Sequence, residues 1–182
     1  MSQETINIQT RRLKAQIPVA DYIANYRRSD YFLSLCRECK NYGCRYGCPP
    51  FEYDVVDKIK DYATAKIIGI QIIPKQANLP LSSAQTIMQP YIKQLRDELL
   101  QMEKQSGGLS FGFAGGCDLC GERPCARLTS EPCRHPDKVR PSLEAYGFDL
   151  SKTAQDLFHV PLVWGKNNTL PPYLMLIGAL FE

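Results

Sequence analysis

No stretch of this chain is apolar for long enough to cross a bilayer. The longest apolar runs, Ile67–Ile73 and Tyr173–Phe181, fall far short of the roughly 20 residues a spanning helix needs. The N-terminal region lacks the apolar core of a secretory signal, because Arg11, Arg12, Arg27 and Arg28 interrupt every candidate. Charge of one sign is equally scarce. Lys and Arg number 22 against 19 Asp and Glu, a net of +3 with the signs interspersed, too little to announce a nucleic-acid track or a membrane surface. Low-complexity sequence is missing, and 12 Gly and 13 Pro are ordinary counts. With 182 residues, 44% of them hydrophobic, disorder, collagen and coiled coil are excluded, and a single domain spanning 1–182 is expected. Neither an H-E-x-x-H helix nor a G-x-x-x-x-G-K-S/T phosphate loop is present, and the glycines from 107 to 116 are out of G-x-G-x-x-G register. No serine-hydrolase elbow is expected.

What the chain does have is cysteine, eight in all. A soluble, cytoplasmic location keeps thiols reduced, so they point to metal or redox chemistry rather than to disulfides. They fall into two tight groups. The first is Cys36-x2-Cys39-x4-Cys44-x3-Cys48-Pro49, and the second is Cys117-x2-Cys120-x4-Cys125-x7-Cys133. Thiolate is the metal ligand, and four thiolates in so short a span close around one compact centre. The ending Cys-x3-Cys-Pro matches the tail of the bacterial ferredoxin run, although the middle gap is four rather than two. Gly43 and Gly47 permit the backbone turns that wrapping demands, and Pro49 and Pro50 lead the chain away. Gly112, Gly115 and Gly116 precede the second group, where unhindered amides can donate to cluster sulfurs.

Two kinds of centre compete for these ligands. Zinc takes four thiolates readily. The first group is one residue short of a zinc-knuckle spacing, and Arg37, Lys40, Tyr42, Arg45 and Tyr46 interleave it as in a single-strand nucleic-acid reader. Zinc fingers more often part their Cys pairs by a dozen or more residues, so the compact four-plus-four pattern favours two [4Fe–4S] clusters, with Zn as the alternative. Crossed ligation, in which one group lends its last Cys to the other cluster, stays open.

The segments CRECKNYGCRYGCPP and GGCDLC…PCRHPDKVRPSLEAYGFDL resemble those of domain of unknown function family 2284, from about Tyr22 to the C-terminal strands. The resemblance implies metal binding, with Cys36, Cys39, Cys44, Cys48, Cys117, Cys120, Cys125 and Cys133 as ligands, and no catalytic assignment.

The scaffold reads as α/β: a mixed sheet with flanking helices and two cysteine-rich loops. Pro18 starts a helix through Ala20 and Ile23 toward Leu35, and Asp54–Tyr62 has helical spacing. Lys66–Ile73 reads as a buried strand ended by Pro74. Ser82 or Ser83 caps a long helix that continues to Gln105, stops at Gly107 and Gly108, and is kinked or split at Pro90. Leu109–Ala114 reads as a strand completing a parallel crossover. Ser142–Tyr146 is a short helix ending at Gly147, and Ser151 caps another through Phe158. Val160–Gly165 and Tyr173–Phe181 are strands joined across the turn-rich Lys166–Pro172.

Outside the cysteines, His135 reads as a loop histidine hydrogen-bonded near a ligand, and His159 as structural. Arg123, Arg127, Arg134, Lys138 and Arg140 crowd the second group, where cations ease reduction of an anionic cluster or bind an acidic partner; the bland reading is a solvated loop. Glu98, Lys104 and their neighbours on the long helix read as surface charge. These features add up to a small cytoplasmic iron–sulfur protein passing electrons to a partner redox system. The alternatives are a zinc-stabilised binding module, with nucleic acid as one target, and a reductase with substrate near the clusters.

Overall fold

The computed structural model describes residues 6–113 and 117–182. Its elements are β1 (Ile8–Pro18), α1 (Val19–Tyr26), α2 (Ser29–Arg37), β2 (Thr64–Pro74), α3 (Ala84–Ser106), β3 (Leu109–Phe111), α4 (Leu150–Phe158) and β4 (Leu174–Phe181), with short 3-10 turns at Leu81–Ser83, Ala126–Thr129 and Glu144–Tyr146. Among the described residues no helix is long and apolar enough to cross a membrane.

The strands lie in the order β1-β2-β4-β3. The α/β class expected from sequence is what forms, but every ladder is antiparallel. β2 and β3 run the same way, as the helix between them requires, yet β4 is inserted between the two and pairs with both. The crossover is therefore split rather than closed. Side chains of a strand alternate between faces. In β2, Ala65 and Ile67 face a core shared with α1, α4 and Phe148, while Ile68, Ile70 and Ile72 face α3 through Ile87, Leu95 and Leu99. Burial on both faces is why β2 reads as one continuous apolar run. Gly178 lets α3 settle onto β4, because a Cβ there would stand 2.6 Å from Leu99 Cδ1 and 2.9 Å from the Phe111 carbonyl oxygen.

Several expectations are corrected. β1 was not foreseen; Leu13 is its only fully buried residue, and Arg11, Arg12 and Lys14 suit an edge strand facing water. The helix expected to continue toward Leu35 is two helices, because Arg27 bridges to Phe148 and the Arg28 amide bonds the Gly147 carbonyl at 2.7 Å. The expected helix over 54–62 is instead a run of turns at 55–61 that buries Ile59. α3 is continuous through Pro90, and Ser83 makes no side-chain cap; a 3-10 turn leads in instead. Asp149, not Ser151, caps α4 by accepting from the Lys152 amide at 2.9 Å. Val160–Gly165 forms no strand: the Val160 amide turns back to the Ala154 carbonyl at 3.2 Å to close α4, and Pro161 has no N–H to give a ladder. β3 ends at Phe111, and Ala114, Gly115 and Gly116, with the amide donors expected there, lie outside the described residues.

Candidate metal centre

The first cysteine segment leaves the last turn of α2, which carries Cys36. Tight turns follow: the Cys39 amide donates to the Cys36 carbonyl (3.0 Å), Tyr42 to Cys39 (2.9 Å), Cys44 to Asn41 (3.1 Å) and Cys48 to Arg45 (3.0 Å). The turns bring in a cysteine every three to five residues. Gly43 has the expected left-handed backbone, φ +67°. Gly47 serves differently, as a close approach: a Cβ there would lie 3.0 Å from the Arg140 carbonyl oxygen. The second segment is also built of turns, with Gly121 bonded to Asp118 (3.1 Å) and Leu128 to Cys125 (3.1 Å).

The two segments are laced together. Arg45 Nη1 donates to the Cys117 carbonyl at 2.7 Å. In return, Arg127 donates to the carbonyls of Arg45 (2.8 Å), Cys48 (2.7 Å) and Pro50 (2.5 Å). The Tyr46 hydroxyl bonds the Glu131 carbonyl, and the Arg127 guanidinium lies over the Tyr46 ring. Helix α3 holds the second segment from the other side, through Gln89 Nε2 at 2.7 Å and Arg96, both on Asp118. Glu103 then ties β3 to the chain beyond the cysteines, accepting from the Ser110 amide (2.7 Å) and hydroxyl (2.5 Å) and from Arg140. The long helix thus contributes more than surface charge.

Ser110 also settles a point of motif. Gly108-Leu109-Ser110-Phe111-Gly112 has the hydrolase spacing after all. However, Ser110 is buried within β3 and its hydroxyl is spent on Glu103, so no nucleophile is presented.

A cavity of ≈ 190 Å³ opens between the segments, with Cys36, Cys39, Cys48 and Cys117 on its wall. Cys44, Cys120, Cys125 and Cys133 are not on it. All eight cysteines are free thiols; Cys39 is exposed and the rest half-buried. Burial, then the neighbouring Cys39, pushes the Cys36 thiol up. Burial and the nearby Cys39 and Cys36 push Cys48 up, against the pull of Arg45 and Arg127. Burial raises Cys117 as well, with Asp118, Cys120 and Cys133 adding to it and an amide bond from Leu119 opposing. Sulfurs crowded so that each resists the other's ionisation are what a bound cation relieves. The donor set therefore fits a thiophilic metal in kind. Among the described residues no three His, Cys, Asp or Glu side chains are gathered at single-ion spacing, so the thiols stand as open turns.

Two groups near the cysteines were missed or under-read. The Ser142 hydroxyl and the Glu144 amide hold the Glu144 carboxyl, while burial pushes it up to about 7. Its Oε2 is sealed from solvent and has no hydrogen-bond partner among the described residues. No spacing rule could have flagged a lone glutamate. His135 donates its amide to Cys133 Sγ at 3.4 Å, and its Nε2 is likewise sealed and unpartnered among the described residues. His159 takes the left-handed position that ends α4, a structural role. Arg134 bonds the Pro124 carbonyl at 2.8 Å and stands 4.0 Å from Cys120 Sγ.

A helix-flanked sheet that carries eight free thiols on two facing loops has the make-up of a metal-binding α/β protein. The chain belongs to the family described as predicted metal-binding protein (DUF2284), which it matches over residues 23–180. That span holds both cysteine segments, as the sequence resemblance implied. No curated protein and no solved structure matches the chain.

Proposed function

We propose that this chain is a cytoplasmic iron–sulfur protein that passes electrons to a partner redox system. In this reading one [4Fe–4S] cluster is held by Cys36, Cys39, Cys44 and Cys48, and a second by Cys117, Cys120, Cys125 and Cys133. The observation that carries it is the lacing: two four-thiol segments, far apart in the chain, are fastened face to face across one cavity by reciprocal arginines. Like segments held in that way suit exchange between two centres. When bound, such clusters supply one-electron steps whose potential follows charge, hydrogen bonding and exposure. The chain's own part is to hold the sulfurs and to set cations beside them. Arg45 and Arg127 both act on Cys48 in that sense.

The same bonds weigh against a nucleic-acid module. Arg45 and Tyr46, two of the five basic and aromatic residues that interleave the first segment, spend donors on backbone carbonyls instead of phosphates and bases. The test is metal and sulfide analysis with a visible spectrum on anaerobically purified protein. About eight irons with matching sulfide are expected per chain. A colourless protein with about two zincs and no acid-labile sulfide would replace this reading with the zinc-stabilised one.

A further inference from the structure

A second cleft, of ≈ 250 Å³, is walled by α2, by the chain that leaves the first cysteine segment and by the turn at Tyr146 and Gly147. Its body is apolar and aromatic: Leu33 and Val55 line it together with Phe51, Tyr53 and Tyr146. The three rings are fixed against one another, Phe51 stacked on Tyr53 with centres 5.2 Å apart and Tyr146 edge-on to Phe51 at 5.4 Å. The Tyr53 and Tyr146 hydroxyls are bonded at 2.9 Å. Each has one proton, so one of the two is left to give.

The charge on this wall has one sign. Arg27 and Arg37 line the cleft, and no Asp or Glu among the described residues does. Asp30, Glu38, Glu52, Asp54 and Glu144, each next in sequence to a lining residue, lie off it. Outside the described residues only Glu4 is acidic, and it precedes the end of β1 that lies away from α1. Arg27 brings its head to the wall rather than its stem, because Nε donates to the Tyr146 carbonyl at 2.8 Å. Neither arginine forms an ion pair among the described residues. The Asp54 carboxyl is held below its ordinary value first by the amides of Asp57 and Val56 and only then by Arg27. Two guanidinium groups beside one apolar wall are left without a counter-charge.

We propose that this cleft binds a small aromatic carboxylate, its ring against Leu33, Phe51 and Val55 and its anion between Arg27 and Arg37. An apolar body with a few convergent polar groups is the common plan of small-molecule sites. At ≈ 250 Å³ the cleft exceeds the roughly 150 Å³ of an apolar cavity that admits one benzene. A guanidinium fork meets a planar carboxylate with two parallel bonds, and a single charge suits a wall that is otherwise apolar. The spare phenol proton of the Tyr53–Tyr146 pair is a third donor. Because the rings and Arg27 are already held, little ordering is left to be done on binding. The binding does not rest on the cluster reading above.

The test uses the full chain as purified anaerobically, with its metal, and three probes: 4-methylbenzoate, the neutral isostere 4-methylbenzamide, and acetate, which keeps the charge and lacks the ring. Titration calorimetry should show saturable, one-to-one binding of the benzoate. The benzamide should bind about tenfold more weakly or worse, because it loses the charge-assisted bonds. Acetate should fall at least as far, because it buries no ring. Arg37 is exposed in the last turn of α2, so Arg37→Gln leaves the fold alone. That variant should weaken the benzoate about tenfold and leave the benzamide within about twofold. Leu33→Trp should weaken both aromatic probes about tenfold by filling the space, and α2, with no fully buried residue, tolerates the larger ring. Equal affinity for benzoate and benzamide, acetate as tight as the benzoate, a preference that survives Arg37→Gln, or no saturable binding would overturn the proposal. Iron and sulfide counts on the same samples separate it from the cluster reading. Colourless protein that prefers the benzoate keeps the site and loses the clusters; brown protein that binds no probe does the reverse.

Discussion

Arg127 directs its guanidinium at three carbonyls of the first cysteine segment, those of Arg45, Cys48 and Pro50. A planar fork with five donors can span several acceptors at once, and an ammonium cannot. Arg127→Ala should therefore lower stability by about 2 kcal/mol, the worth of charge-assisted bonds to half-buried acceptors. Arg127→Lys should recover only part of that in a urea melt, and a full recovery would show that charge alone matters. In the sequence this residue was visible as a cation near a cysteine, and its likeness to a free, anion-seeking group was misleading. Its real partners lie in the other segment, and no local pattern encodes a contact of that range. The eight cysteines were legible for the opposite reason: their spacing is short, and short spacing is itself the chemistry. Glu144 was not legible, because its character comes wholly from burial.

Among the elements, α3 does more than cover one face of the sheet. Its last turns carry Glu103, which joins β3 and the Arg140 region. Burial pushes the Glu103 carboxyl up, but bonds from Arg140 and from the Ser110 hydroxyl and amide outweigh it, so the group sits below its ordinary value near 4.5. A carboxyl lowered by folding contributes stability above that ordinary value and loses it as the pH falls through the lowered one. Glu103→Gln should thus cost about 2 kcal/mol at pH 7, with the gap to the parent closing as acid melts are taken from about pH 5 toward pH 3. A gap constant across that range would mean that Gln loses packing rather than charge. β2, β4 and α3 were readable because burial on two faces, or on one helical stripe, writes itself into the residue pattern. β1 was not, since an edge strand with water on most of its side chains needs no apolar alternation. Val160–Gly165 has the apolar look of a strand, but its first amide is spent on closing α4 at the Ala154 carbonyl, a contact that composition does not encode.

For the whole molecule, the two segments and the scaffold are one object. The turns that carry the thiols also carry the bonds that close α3, β3 and the loops around the cavity. A metal that binds only the folded arrangement adds its binding free energy to folding. Cys39→Ser in one segment and Cys120→Ser in the other should each lower metal content and melting temperature together. A metal-poor variant that melts with the parent would show a scaffold independent of its centres. The insertion of β4 between β2 and β3 also sets a timetable. Cys133 leaves the ribosome well before Phe181 is made, and the stretch between them takes about 2–10 s at about 5–20 residues per second. Through that interval the sheet lacks an inner strand, so neither segment has its final footing. All eight thiols are meanwhile present on an unfinished chain, open to whatever metal or oxidant arrives first. In this topology the sulfurs are made before the strand that gives them shelter.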